Sequence, residues 1–390
     1  MKINLELNNL PEAREEENGF ENRPYFVDKK PDLTEIKEKA EEHGRENLVV
    51  IGNGGSVTSF RAYYKALKSS AEGEAYIVTS MDPDYLEELS QKLDPENTIV
   101  MPISKSGETV GVIEALLYFI DKSYPFFGVT SDKDSALKKI IEKNGEGFIE
   151  HKDVSGRYSG LTETGLVPAA FVGLDFEEIR EGAEKVYNSF SKKPGNPAFK
   201  LASAMYEAEV NGYREVFTPF YSYKIFGYFP FLIQSMHETY CKDGKGQTFF
   251  GDMGPECQHH TIQRLFGGRK NLVTLLFKVE DHLKTFLNVD EEFKGIPVRG
   301  KPIQEFEDTG LDRSLEAELE GVKTVLKHEK MPFAEISVET VEPEVCGELL
   351  AFIQYFAYYS AKIRGLNPFN QPDVEKSKEI GFEKRFNGGR

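Results

Sequence analysis

The fold is decided by NLVVIGNGGS, residues 47–56, in which a short apolar run ends in a glycine-rich turn. Residues 47–52 read as a buried strand, and residues 57–67 have the apolar period of a helix. The same alternation continues with strands predicted over 75–79, 98–103 and 126–130, and helices over 85–92, 109–120 and 135–141. Short β-rich strands that alternate with helices predict a parallel sheet covered on both faces.

A looser α/β pattern fills the second half of the 390-residue chain. A helical stretch at 175–212 precedes strands predicted over 215–220, 271–278 and 333–338, and helices over 223–240, 258–266 and 311–327. Two successive α/β units indicate a duplicated architecture. We predict an N-terminal arm and first helix (1–44), with the first 32 residues wrapped over the body. Two α/β domains (45–190 and 191–342) and a C-terminal helical segment (343–390) follow, the last opening with a long aromatic helix.

The composition restricts the partners and the location of the protein. A net charge of −17 disfavours nucleic acid and anionic membranes as partners; the acidity fits a salty cytoplasm or simple solubility. No apolar run approaches the ~18 residues of a membrane span, and the first residues lack a signal-peptide pattern. The three cysteines, Cys241, Cys257 and Cys346, form no CxxC pair and no ligand cluster. Reduced thiols, a cytoplasmic location, and neither metal nor cofactor are therefore expected.

The turn Gly52–Ser56 joins the first strand to its helix. Glycines let the backbone approach a ligand, and the free N–H groups of a helix start favour an anion. The spacing fits neither GxGxxG nor GxxxxGK[ST], so no nucleotide fingerprint is satisfied. Gly55 and Ser56 are candidate phosphate ligands, and tight strand–helix packing is the alternative explanation.

A second candidate, SKSGET at residues 104–109, also follows a strand and opens a helix. Its hydroxyls and its lysine (Ser104, Lys105, Ser106 and Thr109) are suited to a phosphate. Ordinary helix capping by Ser106 and Thr109 is the alternative. Two such turns at the carboxyl ends of strands in one sheet favour a shared ligand site, because ligands collect at that edge.

A third motif, HETYCKDGKG at residues 237–246, places a carboxylate at the end of an apolar helix beside a cationic loop. With His259 available about 20 residues later, Glu238 is suited to proton abstraction next to a carbonyl. An ordinary solvated glutamate and a surface His259–His260 pair are the alternatives. Together with the phosphate turns, this motif predicts an enzyme that acts on a sugar phosphate.

In their order along the chain, these motifs resemble the phosphoglucose isomerase family, a group of sugar-isomerase (SIS) domain enzymes. The resemblance covers roughly residues 45–385 and is carried by GGS (54–56), SKS (104–106), GRYS (156–159), residues 238–246, QH (258–259) and FNQPDVExxK (369–378). It implies two SIS-type α/β domains, each a mainly parallel sheet between helices. It also implies interconversion of glucose 6-phosphate and fructose 6-phosphate through a cis-enediolate.

The resemblance also implies the role of each residue. Glu238 would move a proton between C2 and C1, and Arg157 would stabilise the enediolate. His259, supplied by the neighbouring subunit of a homodimer, and Lys378 would act in ring opening. The phosphate ligands would be Gly55, Ser56, Ser104, Lys105, Ser106, Thr109 and Gln371.

From the residues alone, Arg157 reads equally as a surface ion pair, and Lys378 is one of many lysines. The chain departs from the family's usual residues at six positions near these motifs: Ser155, Gly160, Glu163, His237, Cys257 and Asp373. Of these, Glu163 and Asp373 are expected to bring negative charge near an anionic site. An isomerase of another sugar phosphate, such as mannose 6-phosphate, and a non-catalytic sugar-phosphate sensor are the alternative functions.

Overall fold

The computed structural model describes residues 1–12, 22–192 and 195–387. Two five-stranded sheets form the frame. The described chain opens with β1 (Ile3–Asn8) and then α1 (Leu33–His43). Beyond them, the first sheet and its helices comprise β2 (Asn47–Ile51), α2 (Thr58–Leu67), β3 (Glu74–Val78), α3 (Pro83–Lys92), β4 (Thr98–Ser104), α4 (Val110–Asp121), β5 (Phe127–Thr130), α5 (Ala136–Asn144) and β6 (Gly147–Glu150).

The first sheet is parallel throughout, in the order β3-β2-β4-β5-β6. Successive side chains of β2 enter two different apolar clusters: Leu48 and Val50 join one, Val49 and Ile51 the other. Because helices cover both faces, all seven residues of the central strand β4 are buried. The predicted parallel sheet is confirmed, and short β6 at its edge is a strand that the sequence pattern did not predict.

The second half of the chain carries the remaining helices and strands. They are α6 (Glu163–Phe171), α7 (Phe176–Lys192), α8 (Pro197–Val210), β7 (Glu215–Tyr221), α9 (Phe229–Tyr240), β8 (Thr248–Met253), α10 (Thr261–Gly267), β9 (Leu272–Val279), β10 (Pro297–Val298), β11 (Lys301–Pro302), α11 (Leu311–His328), β12 (Phe333–Val338), α12 (Pro343–Ile363) and α13 (Glu375–Asn387). The second sheet has the order β1-β12-β9-β7-β8, and β10 and β11 form a separate hairpin.

The start of the predicted N-terminal arm forms a strand that the sequence pattern did not predict. Residues 3–8 form β1, which pairs antiparallel with β12 at the edge of the second sheet, so that Ile3 lies opposite Val338. Ile3 is buried while Asn4 and Glu6 are exposed, which is the alternation of a strand with one covered face. The predicted arm also includes residues 13–21, which lie outside the described residues.

The long aromatic helix α12 packs against helices from both halves of the chain, α2 among them. Seventeen of its residues, from Val345 to Ala361, are buried, and it packs against α7, α8 and α9. Its tyrosine hydroxyls find partners inside the protein; that of Tyr355, for example, lies 2.8 Å from the hydroxyl of Ser191. Despite its apolar character, neither α12 nor any other helix of the described ranges is long and apolar enough to cross a membrane.

Candidate active site

The loops that follow β2 and β4 lie at the carboxyl edge of the first sheet, and the first of them packs directly on the segment that carries Arg157. The backbone approach is so close that a Cβ on Gly55 would lie 2.1 Å from the carbonyl carbon of Gly156. Gly54 has φ +54°, and a Cβ there would meet the amide of Gln234 at 2.8 Å. The two glycines therefore let the loop touch both the Arg157 turn and α9.

Arg157 is fully buried, and both terminal nitrogens of its guanidinium donate to acceptors, while its Nε has no hydrogen-bond partner among the described residues. Nη1 donates to Oε1 of Gln371 at 2.6 Å and to Oε2 of Glu238 at 3.2 Å. Nη2 donates to the carbonyl oxygens of Pro368 at 2.8 Å and Asn370 at 3.1 Å. The surface ion pair that the sequence left open is excluded by this burial, because the cation is enclosed among acceptors that lie far from it in sequence.

Glu238 lies in the last turn of α9 and is held from two sides. Its Oε1 accepts from Nε2 of Gln234 at 3.1 Å, one helical turn earlier, and its Oε2 accepts from Arg157. Gln234 is itself fixed by the hydroxyl of Thr58, which donates to its Oε1 at 2.8 Å. The side chain of Glu238 remains 27% exposed, so the carboxylate is oriented and still accessible to a ligand.

A cavity of about 760 Å³ brings together most of the predicted phosphate ligands. Its lining includes Ser56, Lys105, Ser106, Thr109, Gln371 and Lys378. Helix α4 begins at this cavity with Thr109 at its N-cap, and no side chain of the described residues caps it. The capping alternative is therefore not supported, and the helix start keeps N–H groups that suit an anion.

Ser104 and Lys105 have local partners within this loop. The buried hydroxyl of Ser104 lies 2.8 Å from that of Thr109 and accepts from the N–H of Gly107 at 3.2 Å, so it shapes the turn. The ammonium of Lys105 lies 2.6 Å from a carboxylate oxygen of Asp153. A bound phosphate would compete with Asp153 for this ammonium.

A second cavity of about 340 Å³ adjoins Glu238. Its lining also includes Lys242, Asp373 and Gln371. Gln371 borders both this cavity and the phosphate cavity. Glu238 and the serine- and threonine-lined loops thus border two neighbouring cavities that share Gln371, and we call the two cavities together the cleft.

Lys378 and His259 lie apart from Glu238. Lys378 is on α13, pairs with Glu375 at 2.8 Å and borders the phosphate cavity. His259 ends the 3-10 turn Glu256–His259, is exposed, and is absent from the described residues that line the two cavities. Within one chain, the structure therefore brings Lys378 to the cleft and leaves His259 outside it.

Three residues that sequence reasoning did not select belong to the same surroundings. Gln234 orients Glu238, and its position four residues earlier on the helix was the available signal. His151 lines the phosphate cavity, and burial lowers its pKa. Lys242 is almost fully buried; burial, assisted by Arg157, lowers its pKa to about 8.

A further groove of about 800 Å³, between α1 and the start of α7, borders none of these residues.

The part of the chain that the structure describes contains no cluster of metal-binding side chains. No group of three or more His, Cys, Asp or Glu side chains there is arranged to hold a metal ion. The three cysteines are unpaired.

Comparison with known proteins shows the family of the chain. The family model for phosphoglucose isomerase matches residues 37–383, nearly the whole chain. The chain belongs to the phosphoglucose isomerase family. It is 26% identical over 352 residues to glucose-6-phosphate isomerase of Methanocaldococcus jannaschii, covering 87% of this chain and 84% of that protein. It is 28% identical over 388 residues to the Staphylococcus haemolyticus enzyme of the same name, covering 93% and 86%.

Solved structures share the phosphoglucose isomerase fold. A hypothetical protein from Thermus thermophilus superposes with a TM-score of 0.83 at 23% identity, covering 91% of this chain and 87% of that one. A glucose-6-phosphate isomerase from Chlamydia trachomatis gives 0.76 at 21% identity, covering 96% and 80%. The α/β fold of sugar-isomerase type that the sequence predicted is confirmed; the domain boundaries stay a prediction.

Departures from the usual phosphoglucose isomerase residues have local structural reasons. Ser155 donates to the carbonyl oxygen of Phe369 at 3.2 Å. Nε2 of His237 accepts the N–H of Phe249 at 2.9 Å, which ties α9 to β8. Gly160 faces Ser59, whose hydroxyl would lie 2.0 Å from an added Cβ. Cys257 is buried in an apolar cluster of the second sheet.

Of the two acidic departures, Glu163 brings less charge than expected. It is buried at the start of α6, accepts the N–H of Lys152 at 3.3 Å, and burial raises its pKa, which favours the uncharged carboxyl. Asp373 does border the cavity of Glu238, as the sequence suggested, and shares it with Lys242.

The contact between the glycine turn and the Arg157 turn gives a testable prediction. Gly55→Ala should lower the free energy of unfolding by about 1–3 kcal/mol, since its methyl group would force two backbones apart. Gly321→Ala is the matched control, because it lies inside α11 with nothing within 4 Å of the added Cβ. It should stabilise the protein by up to about 1 kcal/mol. Equal denaturation midpoints for Gly55→Ala and the wild type would contradict this close approach.

Proposed function

We propose that this chain interconverts glucose 6-phosphate and fructose 6-phosphate through a cis-enediolate, with Glu238 as the base. The family match and the relatives named glucose-6-phosphate isomerase support the reaction. The observation that carries the assignment of the base is the position of Glu238, which borders a cleft shared with two phosphate-type loops. The unpaired cysteines suit a cytoplasmic location, which we propose as well.

The shape of the cleft supports one orientation of the substrate. The phosphoryl group would lie against Ser56, Ser106 and Thr109 and the start of α4, where hydroxyls and backbone N–H groups supply hydrogen bonds. The sugar chain would then extend past Gln371 toward Glu238, because Gln371 borders both cavities. Holding the phosphate at one end positions the carbons at the other end.

The contacts of Glu238 fit a general base. Each of its two oxygens accepts one hydrogen bond in the structure, so each keeps a lone pair for a proton. The carboxylate would remove the proton from C2 of the opened aldose and return it to C1. The same carboxylate would perform the reverse transfer from the ketose, because one position serves both carbons.

Arg157 is suited to stabilising the charge that develops on the substrate. Its cation is fixed by carbonyl and amide oxygens before the reaction, so little reorganisation is required as an enediolate oxygen becomes negative. Its contact with Glu238 at 3.2 Å puts the cation beside the base. Because Arg157 is fully buried and lines neither cavity, it would act on the intermediate through its charge, from behind Glu238 and Gln371.

Glu238→Gln tests the base. The amide keeps the shape and the contact with Gln234 but cannot accept the proton, so kcat for fructose 6-phosphate should fall about 10²–10⁴-fold while KM changes little. Glu41→Gln, an exposed carboxylate on α1 away from the cleft, should leave the rate unchanged. Undiminished turnover of a folded Glu238→Gln variant would refute this assignment.

The phosphate site is tested by binding. Ser106→Ala and Thr109→Val should each weaken the binding of a phosphorylated competitive inhibitor about 10–10²-fold, because each removes a hydrogen bond to a charged ligand. Ser70→Ala, an exposed serine far from the cavity, is the control. Unchanged inhibition constants in both variants would mean that the phosphate binds elsewhere.

A homodimer is also part of the proposal. His259 lies outside the cleft of its own chain, and the segment 281–311 presents a row of exposed apolar side chains, of which Leu283 is 87% and Phe286 61% exposed. Apolar side chains in such a row are typical of a surface that another chain covers. In the proposed dimer, the His259 that acts at a cleft would come from the neighbouring copy, because the histidine of the same chain lines neither cavity.

Subunit complementation tests the shared site. Glu238→Gln and His259→Ala should each be nearly inactive as pure proteins. An equal mixture, unfolded and refolded together, should recover about a quarter of the wild-type specific activity, because half of the dimers are mixed and each has one intact site. A mixture no more active than its components would contradict a site completed by the neighbouring subunit, while a mass of one chain in light scattering would contradict the dimer.

A further inference from the structure

The segment Asn367–Asn370, which we call the carbonyl segment, connects the end of α12 to Gln371. All four of its carbonyl oxygens accept hydrogen bonds from side chains. Arg157 takes those of Pro368 and Asn370, and Ser155 takes that of Phe369. Lys242 takes that of Asn367, and it shares that of Asn370 at 2.7 Å. Two buried cations, Arg157 and Lys242, therefore bind one short stretch of backbone.

We infer that Lys242 is a positioning residue for the isomerisation, acting through the carbonyl segment on Arg157 and Gln371. The inference rests on the proposed function, since it concerns the orientation of Arg157, the cation that would stabilise the enediolate. Lys242 follows Glu238 by four residues and lies in the loop after α9. One short stretch of chain therefore supplies both the base and the cation that holds the carbonyl segment.

The contacts of Lys242 use its whole ammonium group. Besides the two carbonyl oxygens, Nζ donates to Oδ1 of Asn370 at 3.0 Å, so three donors meet three acceptors. The side chain of Lys242 is only 7% exposed, whereas Asn367 and Asn370, whose oxygens it holds, lie at the surface. Removing the ammonium would take the donor away from the carbonyl oxygen of Asn367 and from Oδ1 of Asn370, while the carbonyl oxygen of Asn370 would keep its bond from Arg157. The fixed contact that holds both residues in place would be lost. The segment would then move to recover hydrogen bonds.

The opposite side of the carbonyl segment cannot follow such a movement freely. The ring of Phe369 packs against those of Tyr25, Tyr158 and Tyr358, with centroids 4.7, 5.6 and 6.0 Å away. Displacement is therefore concentrated at Asn367 and Asn370, the two residues that Lys242 holds. Because Gln371 follows directly and bonds Nη1 of Arg157, both would lose their alignment with the cleft.

Lys242 also makes this arrangement depend on pH. Burial, and next the charge of Arg157, lower its pKa to about 8, while Asp243, Asp373 and Cys241 act in the opposite direction. Above this pH the neutral amine has two donors for three acceptors, so activity should decline. Between about pH 8 and 10.5 the unfolded chain binds the extra proton, so this group's contribution to stability increases there. The decline in activity is thus separable from unfolding.

The experiment compares the wild type with Lys242→Met, Lys242→Arg and Lys245→Met. The last is the matched control: Lys245 lies in the same loop, is exposed, and donates to the carbonyl oxygen of Arg364 at 2.9 Å, away from the carbonyl segment. Lys242→Met should lower kcat by about 10²-fold with a smaller change in KM, the effect expected of a misaligned group. Lys245→Met should keep the wild-type rate, and both should be folded by circular dichroism.

Lys242→Arg separates the charge from the shape. It should retain most of the rate, and its activity should persist above pH 8, because a guanidinium stays protonated there. A crystal structure of Lys242→Met should show Arg157 shifted from the carbonyl oxygens of Pro368 and Asn370. A wild-type kcat in Lys242→Met, an unchanged alkaline decline in Lys242→Arg, or an unmoved Arg157 would overturn the inference. A wild type without isomerase activity would instead overturn the proposed reaction, and the crystal structure would still decide the role of Lys242.

Discussion

The arrangement depends on one buried cation. A guanidinium removed from water must be surrounded by acceptors, because an uncompensated buried charge is strongly destabilising. For Arg157 these acceptors come from α9, from the carbonyl segment and from Gln371, all distant from it in sequence. The requirement to satisfy one side chain therefore joins the edge of the first sheet to the C-terminal part of the chain, and a cleft forms where they meet.

The phosphate cavity shows how an acidic protein can offer an anion site. The chain carries a net charge of −17, and Asp132, Glu150 and Asp153 line the cavity together with its lysines. Attraction by a broad positive surface is therefore not available. Hydroxyl groups and the uncapped start of α4 act over a hydrogen-bond length only, so they favour a phosphate that has already entered without drawing in anions from a distance.

The sequence predicted those parts of the fold whose signal is local. The first sheet was legible because its strands are buried on both faces and read as continuous apolar runs, β4 most clearly. The strands β1, β6 and β8 were not predicted. Strand β6 has only four residues, and polar residues interrupt the apolar residues of β1 and β8. In the site, the loops and Glu238 were recognisable from their residues and from the family resemblance. The pairing of Lys242 with carbonyl oxygens more than 120 positions away was not, since nothing local records a hydrogen bond between distant segments.

The C-terminal helix α13 forms part of the wall of the phosphate cavity, with Lys378 on its inner side. Its guanidinium–carboxylate pair with the body, Arg385 with Glu114 at 2.8 and 3.2 Å, is at the surface. Dissolved ions screen such a contact, whereas the bonds of Arg157 are shielded inside the protein. A change in ionic strength should consequently affect the attachment of α13 and leave the hydrogen bonds around Arg157 unchanged. Salt would then affect the position of Lys378 more than that of Arg157.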